Sequence, residues 1–105
     1  MVLGGVAAAG GYSISQDTIQ GEVDKDFNEV WDTAIDITSI LGTINSQSHE
    51  LGKILATVNG AKVTINVMQL TTSTVRLRVK ARKAIFPSIA NTQNIYIKIM
   101  NRINK

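Results

Sequence analysis

Two short runs on either side of Asn59-Gly60 limit what this chain can fold into. In KILATV (53–58) the inward candidates are Ile54, Ala56 and Val58; in AKVTINVMQL (61–70) they are Ala61, Val63, Ile65 and Val67. A period of two sends successive side chains to opposite faces, so each run reads as a strand with one dry face. Asn-Gly readily supplies positive φ at both central positions of a type I′ turn, which joins antiparallel strands through two residues. TVRLRVKAR (74–82) repeats the alternation after a turn at TTS (71–73), with Val75, Leu77, Val79 and Ala81 inward and Arg76, Arg78, Lys80 and Arg82 outward. With the weaker polar run TINSQS (43–48) and a turn at HELG (49–52), the spacing predicts a four-stranded antiparallel meander, buried on one face and wet on the other.

Upstream the period becomes 3.6. In KDFNEVWDTAIDITSILG, Phe27, Val30, Trp31, Ala34, Ile35, Thr38 and Leu41 form one apolar stripe, with Glu29, Asp32 and Asp36 opposite. Asp24 is the expected N-cap and Gly42 the expected C′ stop. DTIQGEV (17–23) before it reads as a short strand with Ile19 and Val23 on one side. Near the C-terminus, Pro87 suits the first turn of a helix. Phe86, Ile89, Tyr96, Ile97, Met100 and Ile103 make a helical stripe broken at Gln93, while IYIKI (95–99) also alternates. Residues 94–100 therefore fit either period. The expectation is a helix, because the stripe reaches Ile103 and one helix alone would leave part of the sheet's apolar face bare.

The fold class expected is α+β: an antiparallel β-meander sheet with an N-terminal amphipathic helix and a C-terminal helix packed on one face. Val30, Trp31, Ala34, Ile54, Val63, Ile65, Leu77, Val79 and Ile97 are the expected core. A 105-residue chain is one domain's worth and buries about 60–70% of its unfolded surface. Residues 17–105 read as that domain.

Charge is divided unevenly along the chain. All eight acids lie between Asp17 and Glu50, and ten of the eleven Lys and Arg residues lie from Lys53 onward. Opposed halves can neutralise each other within one fold, can pair head to tail in a homo-oligomer, or can leave a basic surface for an anionic partner. The outward residues Arg76, Arg78, Lys80 and Arg82 are the candidate anion-binding set, extended by Lys83 and Lys62. Residues two apart on a strand stand about 6.5–7 Å apart, a ladder suited to phosphates of nucleic acid or lipid, or to an acidic polymer. The exposed faces lack the interleaved aromatics on which single-strand binders stack bases.

Catalytic signatures are missing from the sequence. His49 is the only histidine, beside Glu50 in a turn and without the spacing of a metal motif. Asp32 and Asp36 stand one helical turn apart on the solvent stripe, where nothing in the sequence places them in a pocket. No serine sits in a nucleophile-elbow context, and GGVAAAGG lacks the order and lysine of a phosphate loop. With no cysteine there is no thiol nucleophile, thiolate metal site or disulfide framework. No catalytic residue, metal or cofactor is expected.

The order of signals resembles a family of small bacterial lipoproteins built from a domain of unknown function. The resemblance runs through GGVAAAGGYSI, VWDTAIDITSILG with Val30, Ala34 and Gly42, GKILATVNGAKVTINV with Gly52, and TVRLRVKA. It covers nearly the whole chain through structural motifs. It implies a cell-envelope or periplasmic setting and anchoring through a lipidated cysteine ahead of the Gly/Ala run. That cysteine is not in this sequence, and KAIFPSIANTQ replaces the short acidic link the family has before its last helix. On this reading residues 1–16 are a flexible stretch beyond an export signal, and residues 1 to about 12 make few core contacts.

The function expected is a non-enzymatic cell-envelope domain with a binding or scaffolding role, its partner another envelope protein or the membrane surface. The alternative is a small module that binds nucleic acid or an acidic polymer through Arg76, Arg78, Lys80 and Arg82.

Overall fold

The computed structural model describes residues 12–104. The element order is β1 (Tyr12–Ile14), β2 (Thr18–Val23), α1 (Phe27–Leu41), β3 (Thr43–Ser48), β4 (Lys53–Val58), β5 (Ala61–Gln69), β6 (Val75–Lys83), β7 (Phe86–Pro87) and α2 (Ile89–Ile103). The fold is α+β, with an antiparallel sheet ordered β1-β2-β6-β5-β4-β3 and β7 paired to the end of β6. The meander β3–β6 and both helices lie where the periodicity puts them. The first helix is not N-terminal, because β1 and β2 precede it. β2 pairs with β6 and so joins the sheet at the strand farthest along the meander. β1 extends the sheet into the stretch read as a tail. The expectation for residues 1–11 lies outside the described residues.

Alternation decides which side is dry. Ile54, Ala56 and Val58 on β4, Ala61, Val63, Ile65 and Val67 on β5, and Val75, Leu77, Val79 and Ala81 on β6 are buried under the two helices. Ile19 and Val23 continue that surface onto β2. Each large side chain so buried contributes roughly 1.5–3 kcal/mol relative to exposure. α1 adds Val30, Trp31, Ala34, Ile37 and Thr38, while Phe27, Ile35 and Leu41 flank the core half-buried.

Local details correct several expectations. The N-cap of α1 is Asp26, whose carboxylate accepts from the Asn28 amide at 3.0 Å. Asp24 instead accepts from the Thr74 hydroxyl at 2.9 Å, so it is engaged across the β5–β6 loop. Gly42 ends α1 in extended backbone (φ −166°), not the left-handed conformation. What requires glycine there is proximity: a Cβ would stand 2.1 Å from the Thr57 carbonyl oxygen. Gly52 meets both demands, with φ +63° and the Val67 carbonyl oxygen 2.1 Å from where a Cβ would lie.

α2 is a helix throughout the segment that fitted both periods. Its buried face is Thr92, Ile95, Tyr96, Ile99, Met100 and Ile103, which leaves the expected core residue Ile97 half-buried. Pro87 is not in the helix but in β7, two residues before it. Phe86 therefore belongs to a strand and is the one member of the expected stripe that faces solvent; Tyr96, Met100 and Ile103 are buried, and Ile89 and Ile97 pack half-buried against the core. Thr92 widens the buried face: its hydroxyl donates to the Asp17 carbonyl at 2.8 Å, pinning the start of α2 to the entry of β2.

Candidate functional site

β6 runs between β2 and β5, so its outward side chains occupy the middle of the sheet's open face. Register brings all four residues of the candidate set to that face. Arg76 lies between Glu22 and Met68, Arg78 between Gln20 and Asn66, Lys80 between Thr18 and Thr64, and Arg82 beside Lys62. They are not equivalent. Arg76 donates to Glu22 Oε2 at 3.1 Å, and Arg82 donates to Asp17 Oδ2 at 2.6 Å. Arg78 and Lys80 are exposed and make no ion pair among the described residues.

Asp17 organises one end of this face. Its carboxylate accepts from the Thr18 hydroxyl at 2.8 Å and from Arg82, while its carbonyl accepts from the Ala81 amide and the Thr92 hydroxyl. The Thr18 hydroxyl above all, then the Arg82 hydrogen bond and the charges of Lys80 and Arg82, holds the carboxyl below the usual aspartate range against the opposing cost of desolvation. The second Arg82 nitrogen donates to the Ile85 carbonyl, so this guanidinium is a structural clamp.

Two further cations share the open face. Lys53 on β4 stands across from Asn66, and Lys62 on β5 stands across from Thr57; both are exposed and outside any ion pair among the described residues. Neighbouring strands are about 4.8 Å apart, so Lys53 and Arg78 lie roughly 10 Å from each other across Asn66. The outward position of Lys53 was present in the alternation of β4, but only the sheet order aligns it with Arg78. The remaining surface is largely hydroxyl and amide, from Thr18, Gln20, Thr57, Thr64 and Asn66, with Leu55 and Met68 as apolar spots. At its edge a recess of about 250 Å³ is walled by Arg78, Gln20, Thr18 and Ser13–Ser15.

The other residues weighed for chemistry are engaged structurally. His49 Nε2 is 2.8 Å from Asn28 Oδ1, and its ring stands edge-on to Phe27 and Trp31, with centroids 5.2 and 5.4 Å away. Asp32 and Asp36 are exposed on α1, and Asp36 pairs with Arg102 of α2. Among the described residues no three His, Cys, Asp or Glu side chains are grouped to hold a metal ion, and no helix is long and apolar enough to cross a membrane. The sequence matches no protein-family model, and no curated protein matches it significantly.

Proposed function

We propose that this chain is a non-enzymatic binding domain of the cell envelope, and that the open face of its sheet rests against the anionic phosphates of a membrane surface. The observation that carries this is the uneven neutralisation of the face. Both acids that reach it are spent, Glu22 on Arg76 and Asp17 on Arg82, while Arg78, Lys80, Lys53 and Lys62 remain without ion-pair partners among the described residues. Such a flat, positive, hydroxyl-rich surface offers many weak contacts to a plane of phosphates and no base-stacking platform.

The envelope setting rests on the resemblance to the lipoprotein family, and the electrostatics make physical sense of it. A cation near an anionic leaflet is worth about 1 kcal/mol, so four give about 4 kcal/mol, a weak association alone. A single acyl chain is also marginal alone, and a basic patch is the usual second signal. A catalytic role has less support, because His49 is held by Asn28 and two rings and the α1 carboxylates face solvent.

Vesicle co-sedimentation tests the reading. The protein should bind phosphatidylglycerol vesicles at low salt, release them at moderate salt, and ignore phosphatidylcholine vesicles. The double variant Arg78→Ser/Lys80→Ser should bind roughly 30-fold more weakly, as two lost contacts of about 1 kcal/mol each require. Undiminished binding by that variant, or equal binding to both lipids, would sink the proposal. Tighter salt-sensitive binding to nucleic acid than to vesicles would move the same residues to the alternative reading, and co-sedimentation only with a second protein would move the role to scaffolding.

A further inference from the structure

The turn between β6 and β7 presents large apolar side chains to solvent. Lys83 pairs with Phe86, so only Ala84 and Ile85 lie in the turn. Ile85 is 76% exposed and Phe86 68% exposed, adjacent in sequence at the tip of a hairpin. Neither joins the core. Ala84 adopts φ +53°, a left-handed conformation that alanine disfavours.

The surroundings of this tip are positive. Lys62 lies opposite Arg82 at its base, and Lys83 begins the turn. The Lys83 stem runs beside the Asn59-Gly60 turn, its Cε 3.5 Å from where a Gly60 Cβ would lie, so cations of two strands gather at one end of the sheet. α2 starts at this end too: the Ser88 amide donates to the Ala81 carbonyl, Asn59 bonds Asn91, and the first turn of α2 carries no acid. Asp17, the acid that reaches the hairpin, is occupied by Thr18 and Arg82. Glu22, Asp24 and Glu50 belong to the opposite end of the strands.

Exposed isoleucine and phenylalanine, with Lys83 paired to Phe86 and Lys62 at the base of the hairpin, complement one environment in particular, the boundary between anionic headgroups and acyl chains. We infer that the Ile85-Phe86 tip inserts into the interfacial zone of an anionic bilayer, with Lys62 and Lys83 on the headgroups around it; this rests on the membrane-surface reading above. The open face then supplies salt-sensitive attraction, and the tip supplies a salt-resistant component. Burying each of the two side chains is worth about tenfold or more in affinity.

The absence of cysteine from the sequence makes the test direct, because one introduced thiol labels one site. The full chain carrying Ile85→Cys, labelled with an environment-sensitive fluorophore, is mixed with phosphatidylglycerol vesicles. The label should shift to the blue and brighten, while the same label at Ile40→Cys, on the exposed side of α1, should not. In parallel, Ile85→Ser/Phe86→Ser should lower vesicle binding about a hundredfold and remove the part that survives moderate salt. If the protein sediments with vesicles but the label at residue 85 stays in water, or the serine variant binds undiminished, insertion is overturned and the basic face stands. If the unsubstituted chain binds no anionic vesicle at low salt, both fall.

Discussion

Two hairpins close on two-residue turns at the same end of the sheet, and their chemistry is opposite. Between β4 and β5, Asn59 at φ 52° and Gly60 at φ 77° are the residues that such a turn favours. Between β6 and β7 the same left-handed start falls to Ala84, and apolar side chains follow largely exposed. The first turn is built of residues that adopt those angles at little cost, with Asn59 also bonding Asn91 of α2. The second is held from below, by Arg82 reaching the Ile85 carbonyl and Asp17, and by the Ser88 amide on Ala81. Local rules hold at the first turn and yield at the second; a conformation of this kind persists only because its neighbours over-determine it.

Substitutions can break that contrast. The largest effect on stability is expected from Gly60→Val, which puts a β-branched residue at φ 77° and should cost roughly 2 kcal/mol, lowering the melting temperature by about 8–15 °C. A shift of under about 2 °C would show that the first turn tolerates what the second does. Asp17→Asn comes next, at about 1–2 kcal/mol, because it loosens the clamp under the second hairpin. Its pH signature is separate. The native carboxyl is held below its ordinary value, so its contribution is complete above about pH 4 and disappears as pH falls through the lower folded value. Denaturation midpoints measured at successive pH values below 5 should fall less steeply for Asp17→Asn than for the native chain; parallel curves would refute the clamp's charge.

Smaller effects sharpen the comparison. Ala84→Gly relieves about 1 kcal/mol of backbone strain but adds a similar entropy to the unfolded chain, so thermal melting should move by no more than about 0.5 kcal/mol in stability. A large gain would mean the clamp bears more strain than the dihedral suggests. Ile85→Ser/Phe86→Ser should be smaller still in stability, as exposed sites are, while changing vesicle binding most among the hairpin variants.

The alternation of β4, β5 and β6 and the Asn-Gly turn were legible because both signals act within a few residues. The start of α2 was not, since Phe86 and Pro87 look like the head of a helical stripe until β7 claims them. Gly42 reads as a helix stop, but its requirement comes from the Thr57 carbonyl fifteen residues away in the chain. The candidate face was half legible. Period two put Arg76, Arg78, Lys80 and Arg82 on one side, yet which of them stay free depends on β2 docking against β6. Glu22 and Arg76 are 54 positions apart and Asp17 and Arg82 are 65 apart, separations at which no local pattern operates. The exposed tip was hidden for the same reason that the start of α2 was, because an apolar residue beside a proline looks like the head of a buried helical stripe.

Trp31 gives the molecule a built-in optical probe with a narrow field of view. It is the only tryptophan, 7% exposed, stacked on Phe27 at 6.2 Å with His49 edge-on to both rings. Its emission therefore follows the seating of α1 on the sheet, and records Gly60→Val only through cooperative unfolding. Neither Ile85 nor Phe86 touches the Phe27–Trp31–His49 ring cluster, so a dye at the tip and the native indole report on different parts of the molecule in one cuvette.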